Sequence, residues 1–255
     1  MSAISRSNTA SAQSLRPLGR IAGVLYLIII VGGIYAGAVR PMLTVPGDPT
    51  ATAAAITASE GPFRSAILAD LAMIMADVAI GAAFYYLLRP VNAGLSLLSA
   101  LFRLAQAAAL GLNLLMLFLA LNLITGDVYI LALGAESAEA LAYLFLNAHG
   151  VGYSLALVFF AFSILIQGYL FIISGYFPRW LGVLLIAASV TYFADSLALF
   201  ALPNYDAIAP VLATVLVVVA LPVELTVSIW LLVRGVRTDA PQPLRNTTSV
   251  EAVAG

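Results

Sequence analysis

The sequence predicts an all-α, polytopic membrane helix bundle of about six transmembrane helices, N-in and C-in. Three observations predict it: the composition, a series of long apolar runs, and the placement of arginine. Of 255 residues, 63% are hydrophobic and 9% charged, whereas soluble domains run near 45–50% apolar and about 25% charged. A soluble fold of this length has too small an interior to hide that much apolar surface, so lipid is the expected solvent and the bilayer the expected partner. The net charge of −1 points to no charged macromolecule, and the absence of a basic patch speaks against nucleic acid. There is no cysteine and one histidine, which removes disulfides, thiolate metal sites and a cysteine nucleophile and leaves too few ligands for a typical zinc site. No phosphate-loop or dinucleotide fingerprint is present. The expectation is therefore no cofactor and no metal.

The expected spans are 18–39, 64–88, 94–124, 140–174, 180–202 and 208–233, each long enough for the ~20 residues a bilayer core needs. Residues 1–15, rich in Ser, Ala and Asn, are expected to form a disordered cytoplasmic N-terminus. The spans make one transmembrane domain over 16–234, and a polar, Pro-containing cytoplasmic tail over 235–255 is expected to be disordered. The first run competes with a signal-peptide reading, because Ala36-Gly37-Ala38 resembles a cleavage site. Its length of about 19 residues exceeds the usual signal core of 7–15 and favours a retained span. Val45-Pro46-Gly47-Asp48-Pro49 reads as a turn, followed by a short helix outside the bilayer over Thr50 to Ser59. Arg89-Pro90-Val91-Asn92, Gly175 to Arg179 and Pro203 to Asp206 are turns, and the segment carrying Asp127, Glu136 and Glu139 is an acidic loop. Pro222 lacks an amide hydrogen for Val218 and should kink the sixth span. The small-residue pairs Gly19/Gly23 and Gly33/Gly37 suit close helix contact.

Arginine sets the orientation. Arg6, Arg16, Arg20, Arg89, Arg179, Arg234, Arg237 and Arg245 fall on one side, and Arg40 and Arg64 on the other. This positive-inside imbalance puts both termini in the cytoplasm and the protein in the cell membrane.

Six ionisable residues lie inside the expected spans: Asp70, Asp77, Arg103, His149, Asp195 and Glu224. A charge at mid-bilayer costs about 2.5–3.5 kcal/mol on insertion scales, so these side chains should face the bundle interior or a wet cavity. Helical spacing agrees. Asp70 and Asp77 are seven apart on one face; Arg103, Gln106, Leu110 and Asn113 make one stripe; His149, Tyr153, Phe160 and Gln167 make another. Tyr192, Asp195 and Ser196 cluster on the fifth span, and Glu224 with Ser228 on the sixth. At 1.5 Å per residue two layers emerge, one of Asp70, Asn113, His149 and Asp195, the other of Asp77, Arg103, Gln106 and Glu224. Arg103 is the one fixed cation read as buried, with Asp77 or Glu224 as its expected partner. One arginine cannot neutralise four carboxylates, so at least one is expected to hold its proton at neutral pH. The first span, lacking charge, is expected at the periphery, with Tyr26 as packing.

These residues resemble a bacterial and archaeal membrane family known as domain of unknown function 4386. The resemblance covers about residues 18–235. It rests on Val45-Pro46-Gly47-Asp48, Ala58-Ser59-Glu60, Ala69-Asp70, Asp77, Leu88-Arg89-Pro90-Val91-Asn92, Phe102-Arg103-Leu104 with Gln106, and Leu110-Gly111-Leu112-Asn113. His149 to Tyr153, Ser174 to Arg179, Asp195-Ser196 and Leu202-Pro203-Asn204-Tyr205 complete it. It implies a multi-pass membrane protein and supplies no activity or catalytic residue.

Three functions remain open. A proton-linked carrier or conduit for a small solute would use the buried polar set as its site. A non-transporting scaffold, sensor or partner subunit would use the same residues only to fix helix register. An intramembrane enzyme would need Asp70, His149 and Asp195 to act together in acid/base chemistry.

Overall fold

The structure, a computed structural model, describes residues 2–236, with side chains from Arg16 onward. Among the described residues the chain is helical, without strands. Its elements are α1 (Ser2–Leu43), α2 (Pro49–Ala58), α3 (Glu60–Leu88), α4 (Ala93–Thr125), α5 (Asp127–Leu133), α6 (Ala135–Ser174), α7 (Arg179–Ala201), α8 (Tyr205–Val215) and α9 (Leu221–Val233). A π-turn, Leu216–Ala220, joins α8 to α9. Six helical stretches are long and apolar enough to cross a membrane, the sixth being α8, the π-turn and α9 together. Large apolar side chains such as Leu68, Met75, Leu112, Leu155 and Val190 cover the outside of these helices, a surface that only hydrocarbon suits.

The helix ends follow local chemistry. Asp48 caps α2, its Oδ1 accepting from the Ala51 amide at 2.9 Å, with Pro49 in the first turn; Asn92 caps α4 by accepting from the Leu95 amide at 3.0 Å. Both use the first-turn amides that a helix cannot satisfy internally. Gly175, in the left-handed region at φ 69°, ends α6, as glycine does most readily. The expected extramembrane helix is α2. It packs Ala53 and Ile56 against Phe63, Leu117, Leu121 and Ala142, and is tied to α6 by Thr50 Oγ1 donating to Glu139 at 2.6 Å and the Gly47 amide donating to the Tyr143 hydroxyl at 2.8 Å.

The tail expected over 235–255 falls, from 237 onward, outside the described residues. Three details depart from expectation. The helical backbone begins at Ser2, ahead of the expected start of the first span; Pro17 lies inside α1. The acidic loop folds into α5, because an apolar run from Val128 to Leu133 stands between Gly126 and Gly134, and α6 starts at Ala135 rather than 140. At Pro222 the sixth span is irregular, as a proline there requires, and the irregularity takes the form of a π-turn. The π-turn directly before it widens the helix where the carbonyl of Val218 would otherwise lack a donor and meet the proline ring.

α1 is an integral wall of the bundle, not a peripheral helix. It packs along α3 and α9, and Ala36 of the cleavage-like triplet is buried. The small pair Gly19/Gly23 does bring two helices together: a Cβ on Gly23 would lie 3.0 Å from the Leu232 amide, and the Gly23 carbonyl accepts from Ser228 Oγ at 3.0 Å. Gly33 and Gly37 do not; Gly37 has nothing within 4 Å.

On the other side of the bundle α6 and α7 touch backbone to backbone. A Cβ on Gly168 would stand 2.7 Å from the Gly182 carbonyl oxygen, and neither helix can retreat without opening the core. Gly182→Leu is therefore expected to destabilise the protein by about 1–3 kcal/mol, whereas Gly111→Ala, which meets nothing within 4 Å, should be neutral. Reversible unfolding in mixed detergent measures both.

Candidate functional site

The centre of the bundle is an ion pair and its clamps. Asp77, on the inward face of α3, meets Arg103 on α4: Nε donates to Oδ1 at 2.9 Å and Nη2 lies 2.7 Å from the same oxygen. Gln106, one turn along α4, donates from Nε2 to Oδ2 at 3.0 Å. The i, i+3 spacing of Arg103 and Gln106 places both on the face that looks at α3. Gly81, one turn after Asp77, leaves room for the arginine stem, which would sit 3.6 Å from a Cβ there. The guanidinium is fully buried, 5.3 Å from the ring centre of Tyr26 and 5.1 Å from that of Phe160. Each aromatic face adds a cation–π attraction of about 2 kcal/mol in a dry site.

Beside this node lies a cavity of about 240 Å³. Asp77, Gln106, Tyr153, Tyr192 and Glu224 form its polar wall; Ile29, Ile30 and Gly33 of α1 and Leu216 and Val217 of the π-turn form much of the rest. Glu224 Oε1 accepts from the Tyr192 hydroxyl at 2.6 Å. Among the described residues no cation forms an ion pair with Glu224. Gln106 Oε1 and Arg103 Nη1 are buried without a hydrogen-bond partner.

The inner layer read from the sequence, Asp77, Arg103, Gln106 and Glu224, thus gathers around one space, with Tyr153 on its wall. The outer layer does not form a common chamber. Asp70 pairs with Arg40 of α1. Asn113 Nδ2 donates to the backbone carbonyl of His149 at 2.9 Å, tying α4 to α6. Asp195 accepts from the Tyr205 hydroxyl at 2.9 Å, closing the α7–α8 turn. Ser196 is buried beside it in sequence but lines no part of the cavity. These residues act as three separate clamps: the partners of Asp70 and Asp195, Arg40 and Tyr205, come from segments the sequence places outside the membrane, whereas Asn113 is bound within the spans.

Three contributors are not evident from the sequence. Ending the first span at Val39 makes Arg40 a loop residue, whereas α1 continues to Leu43. Tyr26 reads as packing, although an aromatic ring is the natural cover for a buried guanidinium. Tyr192 groups by spacing with Asp195, yet its hydroxyl serves Glu224. Among the described residues, no three His, Asp or Glu side chains come together as a metal-binding group.

A family model described as "Domain of unknown function (DUF4386)" matches residues 21–235. The chain belongs to the DUF4386 family. This DUF4386 member is also similar to an uncharacterised protein of Archaeoglobus fulgidus, 31% identical over 139 residues that cover 54% of this chain and 70% of that one. No solved structure matches.

Removing Asp77 would strand a buried cation. Asp77→Ala is expected to cost about 3–5 kcal/mol, while the double change Asp77→Leu with Arg103→Met should recover most of it, since replacing a whole buried pair is often neutral. Unfolding of the two variants side by side measures the difference.

Proposed function

We propose that this DUF4386 protein is a proton-linked carrier or conduit for a small solute, held in the cell membrane with both termini in the cytoplasm. The observation that carries this reading is the cavity itself. It lies among helices apolar enough to span a bilayer, and it brings together a neutralised Asp77–Arg103 pair and a second carboxyl, Glu224, that makes no ion pair among the described residues. A pair retained only to fix helix register has no need of a neighbouring void or of an unmatched acid. The π-turn on the cavity wall adds a helix segment whose widened backbone can change its hydrogen bonding at small cost, a feature often found at functional sites. The enzyme reading draws no support from the geometry: Asp70 is paired with Arg40, Asp195 accepts from Tyr205, and among the described residues no hydrogen bond joins either carboxylate to the His149 ring.

The test is flux in reconstituted vesicles carrying a pH gradient, with internal pH and solute uptake followed together. Glu224→Gln, Asp77→Asn and Arg103→Gln should each slow coupled flux at least tenfold. If all three fold and every flux is unchanged, the protein is a scaffold or partner subunit.

The orientation is checked separately. The chain has no cysteine, so single cysteines report without background. In intact cells a membrane-impermeant maleimide should label Pro46→Cys and spare Pro90→Cys, both positions being exposed; the reverse pattern would invert the topology.

A further inference from the structure

We propose that the cavity binds a small lipophilic ammonium compound, which enters sideways from the bilayer between α1 and the π-turn. This deepens the carrier reading and rests on it for the identity of the site.

The mouth fixes the route. Two residues lining the cavity are also well exposed on the outside of the bundle, Ile34 of α1 at 53% and Val217 of the π-turn at 61%. Along its helix Ile34 lies roughly 27 Å from Arg16 and 14 Å from Leu43, and Val217 roughly 18 Å from Tyr205 and 24 Å from Val233, at 1.5 Å per residue. Both stand well inside the apolar length of their spans, so what reaches the cavity through this opening arrives from hydrocarbon.

The far wall fixes the chemistry. Asp77 has both oxygens engaged and its charge matched by Arg103. Gln106 Oε1 is buried out of reach of the cavity. Glu224 is the acceptor the cavity presents, holding one hydroxyl donor and no ion-paired cation among the described residues. The groups that face it are Tyr192 on α7, Tyr153 on α6, Asp77 on α3 and Gln106 on α4, with Arg103 and Tyr26 behind them; the one cation among these is committed to Asp77. An unmatched acid calls for a ligand with a positive charge and N–H donors. An alcohol would satisfy the acceptor and leave Glu224 without a counter-charge; a carboxylate would oppose it. The rest of the lining, such as Ile29, Ile30, Met73, Leu157 and Leu221, takes an alkyl body. A volume of about 240 Å³ is below the ~300–1,000 Å³ of drug-sized pockets, which limits the ligand to a short chain. A proton and an ammonium group would compete for Glu224, which is the linkage a proton-driven exchanger requires.

The full chain in lipid nanodiscs is titrated with n-octylammonium, n-octanol and octanoate, and binding is read by calorimetry. Octylammonium should bind at least tenfold more tightly than either analogue. Glu224→Gln should remove that preference. Gly33→Leu, where the added Cβ meets only the Met73 sulfur at an ordinary 3.5 Å, should close the mouth and weaken octylammonium at least tenfold. Octanol binding as well as octylammonium overturns the ammonium assignment, and this comparison on the unaltered chain stands even if Glu224→Gln fails to fold. Undiminished binding to a folded Gly33→Leu, or to Val217→Trp as a second plug, overturns lateral entry. Coupled flux of some other solute without octylammonium binding would sink this ligand class and leave the carrier; binding without flux would do the reverse.

Discussion

A guanidinium cannot stay charged in hydrocarbon without a partner, and the bundle is organised around that constraint. Arg103 is buried to 1% exposure, so an acid, acceptors and aromatic faces must be brought to it from other helices. Asp77 comes from α3, Tyr26 from α1 and Phe160 from α6. Sliding any of these helices by one residue would turn its contributor away by about 100°. The node therefore sets the mutual register of four helices. It also explains why α1, which has no charge in its middle, is drawn inward as a full wall of the bundle.

The two sides of the molecule are built differently. Between α4 and α6, Ser99 and Ser163 each donate from Oγ to the other's backbone carbonyl at 2.9 Å. Between α6 and α7, the paired glycines bring backbones into contact. Reciprocal polar bonds and small residues of this kind hold membrane helices where no hydrophobic drive exists. The face between α1 and the π-turn has no such closure, and the cavity opens there. The cavity thus joins Gln106 and Tyr153 of the closed seams to Glu224 at an unsealed face, an arrangement that suits a site which must admit and release something.

Much of the fold was legible because lipid imposes simple rules. Six apolar runs, the turn motifs around Pro90 and Pro178, and the extramembrane helix after Asp48 could be placed from length, hydropathy and capping residues. The Asp77–Arg103 partnership was legible as one of two options, since helical spacing says which faces charges share but not which helices adjoin. What stayed hidden depended on span ends and on neutral groups. A four-residue error at the end of α1 concealed the Arg40–Asp70 pair, and counting charges alone concealed Tyr26. Pro222 announced a disturbance in the sixth span, but a proline by itself does not say whether the helix bends or widens.

That widening has a consequence for the chain's tolerance of change. A π-turn holds one more residue than the α-helical turn it replaces, so Leu216–Ala220 works as an insertion that α8 has absorbed. Deleting a single valine from it would restore regular winding while the flanking turns keep their facing, because the wide turn has already taken up the extra residue. The Tyr205–Asp195 bond would stand, and the cavity rim at Val217 would be rebuilt. Single-residue length variation in this short stretch is thus a way of reshaping the mouth without touching any charged residue.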